Sequence, residues 1–146
     1  MEIRLLKENE RSAAMELVRR VFLEFEAPDY SVQGVEEFER SIQDPAFVNA
    51  LQIYGAFADD RLLGVIAGRA QNSHIALFFV DGAHHRRGIG RRLFDVLLQG
   101  CAAKRITVNA SPYAVPVYRR LGFVPTGGEQ VTNGLRYTPM QYSITP

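Results

Sequence analysis

The sequence predicts an α/β domain built on a mixed, twisted sheet of six to seven strands flanked by four helices. Three observations predict it. Apolar residues recur at 3- and 4-residue steps from Ala14 to Phe25 and again from Leu93 to Cys101, the mark of helices with one buried face. Between them, residues 51–80 lose that period and become β-branched and aromatic. The run at 74–80 is then followed by a helix and a short strand at 105–109. Strand, helix, strand implies a right-handed crossover and a parallel pair within a sheet otherwise joined by hairpins. The 146 residues fit one domain, 1–146.

The elements follow in order. Residues 2–7 read as a short strand. Asn9 or Ser12 is positioned to cap the first helix, whose stripe is Ala14, Leu17, Val18, Val21, Phe22 and Phe25. Pro28 ends it, because a ring nitrogen cannot continue the hydrogen-bond ladder. A second, more acidic helix covers 32–42, and Asp44-Pro45 breaks it. Residues 51–58 and 62–70 form an antiparallel hairpin around Asp59-Asp60-Arg61. Residues 74–80 (HIALFFV) are almost continuously apolar, as expected of a central strand covered on both faces. A third helix follows Gly88-Ile89-Gly90. The strand at 105–109 leads to a short helix over 113–121, stopped by Gly122 where a left-handed residue is needed. Phe123–Thr126 and Tyr137–Ile144 are the last strands.

Composition excludes several classes. Hydrophobic residues make up 47% and charged residues 23%, which argues against disorder. The single Cys101 allows no internal disulfide and no cysteine-based zinc site; it lies on the apolar stripe of its helix. His84-His85 has no third ligand nearby, so no metal is expected. No apolar run approaches the roughly 20 residues of a membrane span. MEIRLLKENE lacks a signal peptide's apolar core. A cytoplasmic protein with no membrane partner is expected. The net charge of +1 hides an asymmetry. Residues 1–50 carry eleven acids against six bases; residues 51–146 carry five acids against eleven bases. That polarity suits a polyanionic ligand on the C-terminal half and a cationic one on the N-terminal half. Nucleic acid is not expected, because the chain as a whole is not basic and its arginines centre on one glycine turn.

That turn is the strongest chemical signal: FVDGAHHRRGIGRRL, Phe79 to Leu93. A buried strand ends, a basic loop follows, and Gly88 and Gly90 open a helix. A helix N-terminus offers free N–H groups and partial positive charge to phosphate. Glycine lets the ligand approach the backbone, and flanking arginines add charge-assisted contacts. A dinucleotide fingerprint would need a third glycine where Leu93 stands, and G-x-x-x-x-G-K-[ST] is absent.

Val80, Gly82, His85, Gly88 and Gly90 resemble V-x-P-x-x-[RQ]-x-x-G-x-[GA], the acetyl-coenzyme A motif of the GCN5-related N-acetyltransferases (GNAT). Ala114, Tyr118, Gly122 and Phe123 match a second signature, A-x-x-x-Y-x-x-x-G-F. The element order β-α-α-β-β-β-α-β-α-β-β is similar to that family's over nearly the whole chain. Gly82 replaces the family's proline, His85 its Arg or Gln, and Ser111 a frequent Asn.

The resemblance implies an acetyl-CoA-dependent N-acetyltransferase in which a primary amine attacks the thioester directly. It implies a cofactor site of Phe79, Val80, His85, Arg86, Arg87, Gly88, Ile89, Gly90, Arg91, Asn109 and Ser111. The pantetheine arm would lie between the fourth and fifth strands, as in strand addition. A backbone N–H near Val80 would stabilise the oxyanion. It implies Tyr118 as the proton donor to the departing thiolate. The amine's proton would go to His74 or to a chain of waters. The acceptor would lie among Glu24, Glu26, Asp29 and Tyr30, with Glu36 and Glu37, of the first two helices and their loop. That acidic rim suits a polyamine, an aminoglycoside, a peptide N-terminus or a lysine. Relatives often pair through their C-terminal strands, so a homodimer through 137–144 is an open expectation. Two other classes compete: a non-catalytic acyl-CoA-binding or regulatory module of the same fold, and a nucleic-acid binder whose affinity would fall steeply with salt.

Overall fold

A computed structural model of the protein describes residues 1–85 and 87–144. Its strands are β1 (Glu2–Leu5), β2 (Gln52–Ala58), β3 (Arg61–Arg69), β4 (His74–Val80), β5 (Arg105–Ala110), β6 (Val124–Pro125), β7 (Gln130–Thr132) and β8 (Leu135–Ser143). Its α-helices are α1 (Arg11–Val21), α2 (Val32–Gln43), α3 (Pro45–Asn49), α4 (Ile89–Gln99) and α5 (Val115–Leu121). The sheet order is β1-β2-β3-β4-β5-β8-β6, with β7 paired to β8. Every neighbouring pair is antiparallel except β4 and β5, joined by the crossover through α4.

Alternation along the strands divides the core between the two faces of the sheet. Val65, Ala67, Leu77 and Phe79 pack with Ala14, Val18 and Phe22 of the α1 side. Leu63, Ile66, Ile75 and Ile106 pack with Leu93, Phe94 and Leu97 of α4. The half-buried Cys101 packs against this second cluster.

The mixed sheet and crossover agree with the sequence reading; some local details differ. Neither Asn9 nor Ser12 caps α1. The Glu10 carboxylate accepts from the Lys7 N–H at 2.8 Å and from both Arg4 terminal nitrogens at 2.8 Å, which ties the entry turn to β1. Pro28 does not end the first helix. The α-helix stops at Val21, runs through one π turn (Phe22–Glu26), and leaves Pro28 inside a 3₁₀ turn (Ala27–Asp29). Asp44-Pro45 ends α2 and also starts α3: the Asp44 carboxylate accepts from the Ala46 N–H, and Pro45 takes the first turn, where its missing N–H costs nothing. The additional strand, β7, is a three-residue piece between Gly127-Gly128 and Asn133-Gly134.

Candidate active site

The site begins where the parallel pair comes apart. β4 and β5 share two rungs, His74 opposite Thr107 and Ile75 opposite Val108. On the other side of β4, Gly68 pairs with Ile75 and the adjacent Ala67 pairs with Leu77. Ala76 is therefore an extra residue, and a bulge bends its strand and swaps the side-chain alternation. Beyond it β4 leaves β5, and its edge through Val80 has no strand partner among the described residues.

Two clefts meet at this opening. One, about 560 Å³, is lined by Phe79, Val80, His85, Gly88, Gly90 and Tyr113, among others. The second, about 480 Å³, takes in Tyr30, Glu37, Arg69, Asn109, Ser111 and Arg136. Glu26, Phe78, Phe79, Ala114 and Tyr118 line both.

The glycine turn forms the far wall of the first cleft. Gly88 adopts a left-handed φ of 79°, and a Cβ placed there would meet nothing within 4 Å. The first backbone bond of α4 is Arg92 N–H to the Gly88 carbonyl. The N–H groups of Ile89, Gly90 and Arg91 thus have no acceptor within the helix and sit on the cleft wall. An open cradle of free N–H groups beside an unpaired strand edge fits a pyrophosphate and an amide-bearing arm. His85 supports the turn: its Nε2 lies 2.7 Å from the Val80 carbonyl, and its ring sits 4.8 Å from that of Phe25. Phe25 also stacks on Tyr113 at 5.4 Å, joining the α1 side to the β5 side across the groove. Arg20 reaches Asp81 at 3.2 Å, and the Asp81 carboxylate accepts from the Ala83 N–H, which fixes the end of β4. Arg87 is exposed and lines neither cleft. Arg86 lies outside the described residues.

Tyr118 is 5% exposed, edge-on to Phe78 and Phe123. Burial pushes its phenol well above the ordinary value, and the nearby Glu26 charge pushes it further, so it stays protonated at neutral pH. Burial also raises the Glu26 carboxyl to about 7; the Ser111 hydroxyl opposes the shift and the Asp29 charge adds to it. Tyr30 is pushed up as well, by burial first and then by the Glu26 charge.

His74 is placed differently from the sequence expectation. It lines neither cleft, and its Nδ1 lies 2.8 Å from the Thr107 hydroxyl at the closed end of the seam. Burial, with the Arg69 charge, lowers its pKa to about 4. Asn109 and Ser111, expected on the cofactor, line the second cleft. The Ser111 hydroxyl accepts from the Ala114 N–H at 3.2 Å, holding the turn into α5. Of the acidic rim, Glu26, Tyr30 and Glu37 line the second cleft; Glu24, Asp29 and Glu36 are exposed outside it. Sequence reasoning missed the position of Glu26 at the junction. A signal was present: Val18, Phe22 and Glu26 fall on one helical row, an acid in line with core residues. Arg69 was missed too; nothing local marks it. Both edges of β8 are occupied over much of its length, by β5 on one side and by β6 and β7 on the other. Among the described residues no group of three potential metal ligands gathers, and no helix is long and apolar enough to cross a membrane.

The fold and seam define an acyltransferase of the GNAT type, and comparison with known proteins agrees. The model of the acetyltransferase (GNAT) domain matches residues 26–144. The chain belongs to the GNAT family of N-acetyltransferases, whose cofactor is acetyl-CoA. Among solved structures it is similar to a GCN5-related N-acetyltransferase from Rhodopseudomonas palustris (21% identity, TM-score 0.85, 98% of this chain and 95% of that one). It is also similar to the PaiA N-acetyltransferase of Thermoplasma acidophilum in complex with coenzyme A (17%, TM-score 0.77, 98% of both chains). An aminoglycoside 6'-N-acetyltransferase from Enterococcus faecium matches at 18% and TM-score 0.69, over 100% of this chain and 98% of that one. At these identities the likeness is one of fold. No curated protein matches the sequence.

Proposed function

We propose that this chain transfers an acetyl group from acetyl-CoA to a primary amine by direct attack on the thioester. The acceptor classes in view are a small amine, a polyamine, an aminoglycoside, and a peptide or lysine amine. The observation that carries the reading is that Glu26 and Tyr118, a carboxyl and a phenol, both line the two clefts where they meet. Bound acetyl-CoA would supply the activated acyl group. The unpaired edge of β4 at Phe79 and Val80 would orient its arm by backbone hydrogen bonds. The free N–H groups at Ile89, Gly90 and Arg91 would hold its pyrophosphate.

Glu26 takes the proton that the amine must lose, in place of His74. Its pKa of about 7 suits a base working near neutrality. Tyr118 Oη holds the proton that the departing thiolate takes. Tyr30 and Ser111 line the path by which the amine arrives. Calorimetry with coenzyme A and acetyl-CoA, followed by thiol release over a panel of amines, tests the reading. Micromolar binding with amine-dependent release supports it. Binding without release under any amine would leave a non-catalytic acyl-CoA module, and no binding would remove both.

A further inference from the structure

The second cleft carries four charged side chains: Glu26, Glu37, Arg69 and Arg136. Two are already engaged. Arg136 makes bonds of 3.1–3.3 Å to the Glu129 carboxylate and one of 3.1 Å to the Asp29 carbonyl. Glu37 pairs with Arg40 and accepts from the Asn133 side chain. Among the described residues Glu26 has no cationic partner within 4 Å, and Arg69, exposed at the end of β3, has no carboxylate. These two side chains without an ionic partner are of opposite type, an acid and a base, and stand at opposite ends. Glu26 is at the junction with the first cleft, where Phe79 also lines both. Arg69 faces His74 in register, at the far end of β4. Five residues of strand, one of them the Ala76 bulge, separate Phe79 from His74, at most about 17 Å of backbone at the usual rise; the Arg69 side chain, which lines the cleft, shortens the gap a ligand must bridge.

The backbone holds Arg69 there at a cost. The next three residues, Ala70, Gln71 and Asn72, have φ of 51°, 59° and 65°. None is glycine, and each left-handed residue costs roughly 1–2 kcal/mol. Asn72 is fully buried; its side-chain amide donates to the Tyr54 hydroxyl at 3.0 Å, and its Oδ1 has no partner. A strained turn pinned by a buried polar side chain fixes the strand end that presents Arg69, and such strain gathers at ligand sites.

From this arrangement we infer that the acceptor is an elongated zwitterion, with its reacting primary amine at Glu26 and a carboxylate at the remote end held by Arg69. The inference rests on the N-acetyltransferase reading and narrows its substrate class. An α-amino acid reacting at its own α-amine is too short, because both charges sit on one carbon. A lysine reacting at its side-chain amine, with its own carboxylate free, has the right form.

The test uses a matched pair, Nα-acetyl-lysine and Nα-acetyl-lysine amide, which differ only in the carboxylate. Binding to the coenzyme A complex is measured by calorimetry, and turnover by thiol release. The wild type is expected to bind the carboxylate form about tenfold or more tightly, the effect falling on KM rather than kcat. In Arg69→Gln the ratio is expected to fall to about one, while Arg69→Lys keeps part of it. Equal binding of the pair by the wild type, tighter binding of the amide, or no binding of either overturns the inference. Turnover of amines with no carboxylate preference would do so while leaving the acetyltransferase standing. Carboxylate-dependent binding without any thiol release would leave the anion site and remove the enzyme.

Discussion

Ile75 and Val108 form the last rung between β4 and β5. One residue later, Ala76 is the bulge that turns β4 away from its parallel neighbour. A parallel pair normally closes a sheet interior; here it opens after two rungs, and the opened edge becomes the wall of a cleft. The bulge also decides which side chains face that cleft. It puts Phe78 and Val80 on the α4 face with Ile75, while Leu77 and Phe79 stay on the α1 face. Which side chains line the cleft therefore depends on one extra backbone residue.

Tyr118→Phe removes the phenolic proton and keeps the ring that packs on Phe78 and Phe123. Thiol release is expected to fall by about 10² to 10⁴ in kcat. Coenzyme A affinity, read by calorimetry, stays within about twofold, since no acceptor bond of the cofactor cradle is lost. Retained turnover would remove Tyr118 from the mechanism.

Gly88 separates strain from charge. Gly88→Ala meets no atom within 4 Å, so its only cost is the left-handed φ of 79°, roughly 1–2 kcal/mol. That corresponds to a melting-temperature loss of about 2–8 °C, with coenzyme A binding largely kept. Gly88→Glu places a carboxylate among the free N–H groups of α4. Coenzyme A binding is expected to weaken by about a hundredfold or more. Equal binding by both variants would mean the anion does not sit at this turn.

Much of the scaffold was legible because its signals are local. The helix stripes, the apolar run at 74–80, the glycine turn and the Ala114–Phe123 signature all lie within short windows. The missed features depend on tertiary contacts. The π turn that delivers Glu26 has the same apolar period as the helix before it, so periodicity could not separate them. The bulge at Ala76 is defined only against β3. His74 starts the right strand, yet register places it at the closed end of the seam, against Thr107. Arg69 reaches the second cleft from the end of β3, far in sequence from the helix residues that line it.

The two shifted groups make opposite demands on pH. Glu26 has a folded pKa of about 7 against 4.5 unfolded, so the native state holds its proton more tightly. Its contribution to stability is complete below pH 4.5 and is lost as pH rises to 7 and beyond. His74 is about 4 folded against 6.5 unfolded, so its contribution is present above pH 6.5 and lost as pH falls through 4. The two slopes oppose each other between pH 4.5 and 6.5. Melting curves of Glu26→Gln should therefore gain on the wild type as pH rises through 7, and those of His74→Gln should gain as pH falls below 6. The same Glu26 carboxyl predicts a rate that climbs through about pH 7 and loses that limb in Glu26→Gln. A rate limb that survives the substitution would return the proton to another group.

Gln71 offers a direct measure of the strain beside Arg69. Its φ of 59° is left-handed and its side chain is exposed, so a change to glycine removes a steric penalty without removing packing. Part of the roughly 1–2 kcal/mol relieved is returned through the more flexible unfolded chain. The net gain should be about 0.5–1 kcal/mol, or a melting temperature about 1–4 °C higher. Asn72 should behave in the opposite way. Its amide donates to Tyr54 in a fully buried place, so Asn72→Gly relieves the same backbone strain but leaves the Tyr54 hydroxyl without that bond. A loss at Asn72 alongside a gain at Gln71 would show a strained turn pinned from inside. A gain at both would mean that the Asn72 side chain holds nothing, and that the turn is free to carry Arg69 away from the cleft.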